Sequence, residues 1–121
     1  MSGTYNMDKF LDGQRTRDYY ESSPLDFVGN LGGEHLEQLR QRFVLLAHGQ
    51  GEFEEPQQSW NVERVLGPMG IPNRVDDWGP DWRHDWVTWR EMLPRFLGEL
   101  LPPPPDASGD AAADSFPNGD D

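Results

Sequence analysis

The sequence contains no cysteine, which excludes disulfide bonds and metal sites built on thiolates. Basic residues are also scarce: Lys9 is the only lysine, and the 121 residues carry a net charge of −12 at pH 7. A surface this acidic repels phosphate backbones, and no cluster of lysine and arginine offsets the repulsion. We therefore do not expect nucleic acid to be a partner of this protein.

Long hydrophobic runs are missing as well. No apolar segment approaches the roughly 20 residues that span a bilayer. Residues 1–4 (MSGT) show neither the basic nor the apolar part of a secretion signal. We therefore expect no membrane association and a cytoplasmic protein whose length allows one domain at most.

The C-terminal segment lacks the apolar surface that folding requires. Residues 102–121 read PPPPDASGDAAADSFPNGDD, with four consecutive prolines, five aspartates and no basic residue. Such a composition buries too little to offset the entropy of ordering the chain. The sequence predicts a folded domain over residues 1–101, which keeps a net charge of −7 without the five tail aspartates, and a disordered Pro/Asp-rich tail over residues 102–121.

Helical and strand patterns alternate in the remaining part. Apolar residues recur at helical spacing in three segments, whereas the run FVLLA is typical of a strand that is buried on both faces. Strands that alternate with helices indicate βαβ units and a parallel sheet. The expected fold class is therefore α/β, with two or three parallel strands and flanking helices. The sequence predicts helices at residues 34–41, 59–69 and 85–100 and strands at residues 43–47 and 72–78.

The two ends of this domain carry further expectations. Residues 1–33 contain many loop signals, yet their aromatic and aliphatic residues indicate that the segment covers another part of the protein. The last helix contains Pro94, which should kink it. Its predicted buried face consists of Trp86, Trp89, Leu93, Phe96, Leu97 and Leu100.

Two loops follow the predicted strands, at the edge where open α/β sheets bind ligands. The first, residues 48–55 (HGQGEFEE), is rich in carboxylates, and the second, residues 78–85 (WGPDWRHD), contains His84. A carboxylate that orients a histidine is the arrangement of a catalytic triad. Two other interpretations stay open. His84 could instead begin the last helix. It could also form a metal site with the nearby aspartates 76, 77, 81 and 85, although these residues show no clear spacing of metal ligands.

The segment GIPNRVDDWGPDWRHDWVTWREMLPRFL, residues 70–97, resembles the C-terminal motif of a bacterial α/β-hydrolase esterase family. In that family a strand ends in a Trp-Gly turn, and a loop then leads to a His-Asp-Trp triplet that opens a Trp-rich helix. Three upstream segments extend the likeness to about residues 1–100. Residues 2–5 (SGTY) are similar to the turn after the family's sixth strand, residues 24–27 (PLDF) to the segment before its next helix, and residues 44–49 to its seventh strand.

The resemblance implies that the chain is the C-terminal portion of an α/β-hydrolase fold and that His84 is the triad histidine. The acid would follow the strand that ends at Ala47. Counting from Gly49 favours Glu52, whereas the apparent extension of the loop favours Glu54, and glutamate is compatible with this fold. No cofactor and no metal are implied, and the substrate would be a small-molecule ester.

The sequence departs from the family in one respect: no G-x-S-x-G motif is present, so the nucleophile of a serine carboxylic-ester hydrolase is missing. We therefore expect a truncated, inactive hydrolase that supplies the triad histidine and acid. Its exposed sheet edge should favour self-association and weak folding. The alternative is a non-enzymatic binding or assembly protein derived from a hydrolase fragment.

Overall fold

The computed structural model describes residues 1–103 and 105. Most of the predicted tail lies outside the described residues. Two single-turn 3-10 helices lie in the N-terminal segment, Asp8–Phe10 and Val28–Asn30. The elements in chain order are α1 (Arg17–Ser22), α2 (Pro24–Phe27), α3 (Gly33–Arg40), β1 (Val44–His48), α4 (Pro56–Leu66), β2 (Asn73–Asp77) and α5 (Trp86–Leu100).

The centre of the fold is the β1–α4–β2 unit. The two strands pair in parallel from Val44 opposite Asn73 to His48 opposite Asp77, and α4 makes the crossover between them. The prediction of an α/β protein with a parallel sheet is confirmed at this level, and the described residues contain two strands. Helix α4 begins at Pro56, three residues before the predicted start, because a proline at the first position of a helix needs no hydrogen-bond partner for its nitrogen.

A single apolar cluster holds these elements together. It joins side chains from β1 and α4 to α3, to the second 3-10 helix and to the turn before β2. Each side chain of this kind contributes about 1.5–3 kcal/mol when it is fully removed from water. The buried members are Val28, Leu36, Leu46, Val62, Leu66 and Ile71.

Residues 1–33 contain short helices where loop signals dominate the sequence. Helix α1 begins because the Thr16 side chain accepts a hydrogen bond from the Tyr19 N–H, and α2 begins at Pro24. Val28 is buried, and Tyr5, Leu25 and Phe27 pack against the apolar cluster. The segment therefore does cover the core, as its aromatic and aliphatic residues indicate.

The chain divides into two compact units, Met1–Trp89 and a second unit that begins at Arg90. Helix α5 starts in the first unit and continues into the second, with Pro94 inside it. The predicted buried face of this helix is wrong in most positions. Phe96 is buried, but Trp86, Leu93, Leu97 and Leu100 are exposed, and the buried set also contains Thr88 and Met92. Among the described residues, no helix combines the length and the apolar character needed to cross a membrane.

Candidate active site

The loops after β1 and β2 lie side by side at the carboxyl edge of the sheet. Backbone hydrogen bonds join them, so the two loops hold each other in one arrangement. Gln50 N–H donates to Gly79 C=O over 2.8 Å, Gly51 N–H to Trp82 C=O over 2.8 Å, and His84 N–H to Glu52 C=O over 2.9 Å.

Two glycines make this close approach possible. A Cβ atom on Gly49 would lie 2.0 Å from the Trp82 carbonyl oxygen, and one on Gly51 would lie 2.8 Å from the same oxygen. Both distances are shorter than nonbonded atoms tolerate, so only glycine fits at these positions without moving the second loop. The glycines of the acidic loop therefore determine where His84 lies.

Glu54 is the buried carboxylate of the site, with a side chain that is only 1% exposed. Its Oε1 accepts hydrogen bonds from the Ser2 hydroxyl at 2.7 Å and from the Gly49 N–H at 3.1 Å. Its Oε2 lies 3.4 Å from His84 Nδ1. Because an isolated buried charge is strongly unfavourable, these three contacts are what allow a carboxylate to occupy this position.

His84 lies between the buried acid and open space. Its side chain is 35% exposed, and its ring contacts Trp89 edge to face with centroids 4.9 Å apart. It also lines a cavity of about 240 Å³ together with Thr4, Met7 and Phe10. The imidazole is therefore held from one side by Glu54 and Trp89 and remains accessible to a ligand.

Ser2 takes part in the site in a way that the sequence does not reveal. It is buried, has a positive φ of 48°, and its N–H donates to Ala47 C=O at 2.6 Å on the edge of β1 away from β2. Its hydroxyl donates to Glu54 and accepts from Trp89 Nε1–H at 3.1 Å. Ser2 therefore links the acid to the indole that supports His84. A serine next to glycine in a loop gives no sign of such a bridge.

The two glutamates considered for the acid occupy different environments. The Glu52 side chain is exposed, and this residue contributes its backbone carbonyl, which accepts from His84 N–H. The structure therefore brings His84 together with the carboxylate of Glu54 and not with that of Glu52. No group of three or more histidine, aspartate or glutamate side chains within the described residues could hold a metal ion.

A second acid–histidine pair lies at the ends of the two strands. His48 is 1% exposed, and its Nε2 lies 3.4 Å from Asp77 Oδ2, without the alignment of a hydrogen bond. Neither ring nitrogen has a hydrogen-bond partner among the described residues. Burial opposes ionisation of Asp77, but hydrogen bonds from Gln50 and Gly79 and the proximity of His48 outweigh it, so the pKa of Asp77 lies below its usual value.

The geometry defines an α/β protein with a buried glutamate against an accessible histidine at the carboxyl edge of a parallel sheet. No protein-family model matches the chain, and neither the curated proteins nor the solved structures give a significant match. The resemblance to α/β-hydrolase esterases therefore rests on the sequence motifs alone.

Proposed function

We propose that Glu54 and His84 are the acid and the base of a serine carboxylic-ester hydrolase. The observation that carries the proposal is the placement of a 1% exposed carboxylate 3.4 Å from Nδ1 of a histidine that opens onto a cavity. Hydrogen bonds of catalytic groups are often long before a substrate binds, so a separation of 3.4 Å is compatible with this role.

The proposed chemistry assigns one task to each group. Glu54 holds the proton of His84 on Nδ1, which leaves Nε2 free to accept the proton of a serine hydroxyl. The serine oxygen then attacks the ester carbonyl, the C–O bond to the alcohol breaks, and the proton leaves with the alcohol. Water, activated by the same nitrogen, hydrolyses the acyl-enzyme. The negative charge of Glu54 stabilises the imidazolium that forms in both steps.

The nucleophile of this reaction would come from outside the 121 residues. No G-x-S-x-G is present in the sequence, and the hydroxyl of Ser2 donates to the acid, so it is engaged in positioning the carboxylate. The chain alone is therefore expected to have no esterase activity. The parallel order of β1 and β2, with one site loop after each strand, supports the interpretation that the chain is the C-terminal portion of an α/β-hydrolase fold.

The test starts from the coding DNA, translated in frame upstream of the Met1 codon to the nearest stop. A G-x-S-x-G in that frame defines a longer protein, whose hydrolysis of a short-chain nitrophenyl ester is then measured. We expect activity that a serine-directed phosphonate blocks and that His84→Ala abolishes. If the 121 residues alone hydrolyse the ester with the same sensitivity to the phosphonate and to His84→Ala, an external nucleophile is not needed and this part of the proposal is wrong.

One observation favours the alternative of a non-enzymatic assembly protein. Because the N–H and C=O groups of Val44, Leu46 and His48 face β2, those of Leu45 and Ala47 face the other edge of β1. Among the described residues, only Ser2 pairs with that edge. A stop within a few codons upstream, together with self-association of the chain that a proline at position 45 prevents, would support assembly over catalysis.

A further inference from the structure

A second cavity adjoins the one that His84 lines. It has a volume of about 490 Å³, within the range of small-molecule sites. Aromatic and aliphatic side chains form most of its wall: Tyr5, Met7, Phe10, Leu11, Tyr19 and Pro24. Hydroxyl-bearing residues complete the lining, and in the part of the chain that the structure describes none of the lining residues is an acid or a base that is charged at neutral pH.

The two cavities share one wall. Thr4, Met7 and Phe10 line both of them, so a molecule that passes over these residues reaches from His84 into the larger, apolar space. Phe10 is 65% exposed although it is aromatic. An exposed aromatic residue between a reactive histidine and an apolar cavity fits a substrate that extends through both.

We propose that the larger cavity binds the acyl chain of the substrate, and that the substrate is a neutral ester of a medium-length aliphatic acid. The placement of the ester bond at His84 rests on the proposed function, whereas the binding of the chain does not. Transfer of a medium-length aliphatic chain from water to this cavity is favoured by the area that it buries, about 25 cal/mol per Å².

Charge decides between a neutral ester and a free carboxylate. An anion in an uncharged, apolar cavity loses its hydration without a partner. Two cations lie close to the wall, the Lys9 ammonium over the Phe10 ring and the Arg15 guanidinium over the Tyr19 ring. Lys9 lies 3.9 Å from the Glu55 carboxylate, and Arg15 pairs with Asp8 and Asp26, so both charges are largely offset. Burial also raises the pKa of Tyr5, which keeps this wall residue protonated and uncharged. The cavity therefore selects neutral chains.

The test uses the 121-residue chain and 2-decanone, a neutral ketone that cannot be hydrolysed. In a titration followed by ¹H–¹⁵N NMR we expect saturable shifts of the amides of Tyr5, Leu11 and Tyr19. Decanoate, the anion of matched length, should bind at least about tenfold more weakly because of its charge. Equal binding of the two probes would contradict the selection for neutral chains.

Two variants locate the binding. Ser22→Trp places a large side chain on an exposed residue that lines the cavity and should weaken binding of 2-decanone about tenfold or more, whereas Glu21→Trp, an exposed neighbour outside the lining, should not. Phe10→Ala removes one side chain of the shared wall without opening the core and should weaken binding several-fold. Binding that Ser22→Trp leaves unchanged would overturn the proposal.

Failure of this inference and failure of the proposed function give different results. If 2-decanone binds as described but the longer protein does not hydrolyse esters, the cavity binds chains and the catalytic proposal fails. If the longer protein hydrolyses nitrophenyl acetate but 2-decanone does not bind, the cavity proposal fails alone. When both hold, Ser22→Trp should lower kcat/KM for nitrophenyl decanoate about tenfold, whereas Glu21→Trp, outside the lining, should leave it unchanged.

Discussion

Within the described residues, two acid–histidine pairs have the same separation and opposite burial. In one, His84 Nδ1 lies 3.4 Å from Glu54, the acid is 1% exposed and the histidine is 35% exposed. In the other, His48 Nε2 lies 3.4 Å from Asp77, the histidine is 1% exposed and the acid is 29% exposed. Distance alone does not distinguish the pairs, but accessibility does, because only the histidine of the first can meet a substrate.

The contacts that hold each pair in place also differ between the two pairs. Glu54 is fixed by Ser2 and Gly49 and presents its second oxygen to the histidine. His48 has no hydrogen-bond partner for either nitrogen within the described residues and fits against the Trp60 ring, with centroids 6.2 Å apart. One histidine is therefore oriented by hydrogen bonding, and the other is a packing residue of the strand end. The comparison indicates that a histidine that acts as a base is identified by the hydrogen bonds that fix its carboxylate partner.

The largest expected effect is the loss of catalysis when the acid of the first pair is neutralised. In a protein that carries the nucleophile, Glu54→Gln should lower kcat for a nitrophenyl ester by roughly 10⁴-fold, since the amide no longer holds the proton on Nδ1 or stabilises the imidazolium. Glu52→Gln is the matched control and should stay within about twofold, because only the backbone of Glu52 contacts His84. Equal losses of kcat in the two variants would contradict the assignment of Glu54 as the acid.

The next effect concerns Gly49, which follows His48 in sequence and donates its N–H to Glu54. Gly49→Ala puts a Cβ atom 2.0 Å from the Trp82 carbonyl oxygen, so the loops must separate. We expect a loss of about 3 kcal/mol in the free energy of unfolding, measured by urea titration of tryptophan fluorescence. Gly98→Ala, where the added Cβ meets nothing within 4 Å in a helix, should stabilise the protein by about 0.5–1 kcal/mol.

Substitution of each histidine by alanine should also lower the stability of the protein by different amounts. His48→Ala leaves a hole at a fully buried site, and we expect a loss of about 2 kcal/mol, at the low end for core truncations because two unpaired nitrogens leave as well. His84→Ala removes a partly exposed ring and its contact with Trp89 and should cost about 1 kcal/mol. The reverse order, in urea unfolding at neutral pH, would contradict the assignment of His48 to the core.

Patterns in the sequence predict the strands better than they predict the site. The apolar run before His48 and the segment after Pro72 give both strands within one residue at each end. The first is recognised because a strand buried in a parallel sheet needs continuous apolar residues, and the second because Pro72 cannot lie inside a ladder and therefore marks its start. Spacing leaves Glu52 and Glu54 open, because the choice depends on Phe53, which turns the loop with a φ of 64°. Ser2 lies 52 positions from Glu54, and no local pattern reports a hydrogen bond over that separation.

The apolar face of α5 shows the same limit for a helix. Leu93, Leu97 and Leu100 satisfy helical periodicity as well as the buried pair Met92 and Phe96 does, yet they are 46–48% exposed. Periodicity identifies the apolar stripes of a helix, but it does not decide which stripe is buried when the helix carries more apolar residues than one face can hold.

The smallest expected effect is on the pH dependence of stability and concerns Asp77, the acid of the second pair. Hydrogen bonds and His48 lower the pKa of Asp77 in the folded protein, although burial opposes this. A depressed folded pKa contributes stability that is present above the unfolded pKa, about 3.9, and is lost as the pH falls through the folded value. Asp77→Asn removes this contribution, so unfolding free energies measured from about pH 7 to pH 3 should fall less steeply in the variant.

The size of the difference should stay below about 1 kcal/mol, because Asp77 is solvent-accessible and water screens its interactions. Asp81→Asn, which changes an exposed aspartate in the loop that follows β2, is the matched control. An identical pH dependence in wild type and Asp77→Asn would mean that burial of Asp77 cancels the hydrogen bonds from Gln50 and Gly79 together with the proximity of His48. The second pair would then contribute nothing to the acid dependence of stability, which sharpens its contrast with Glu54 and His84.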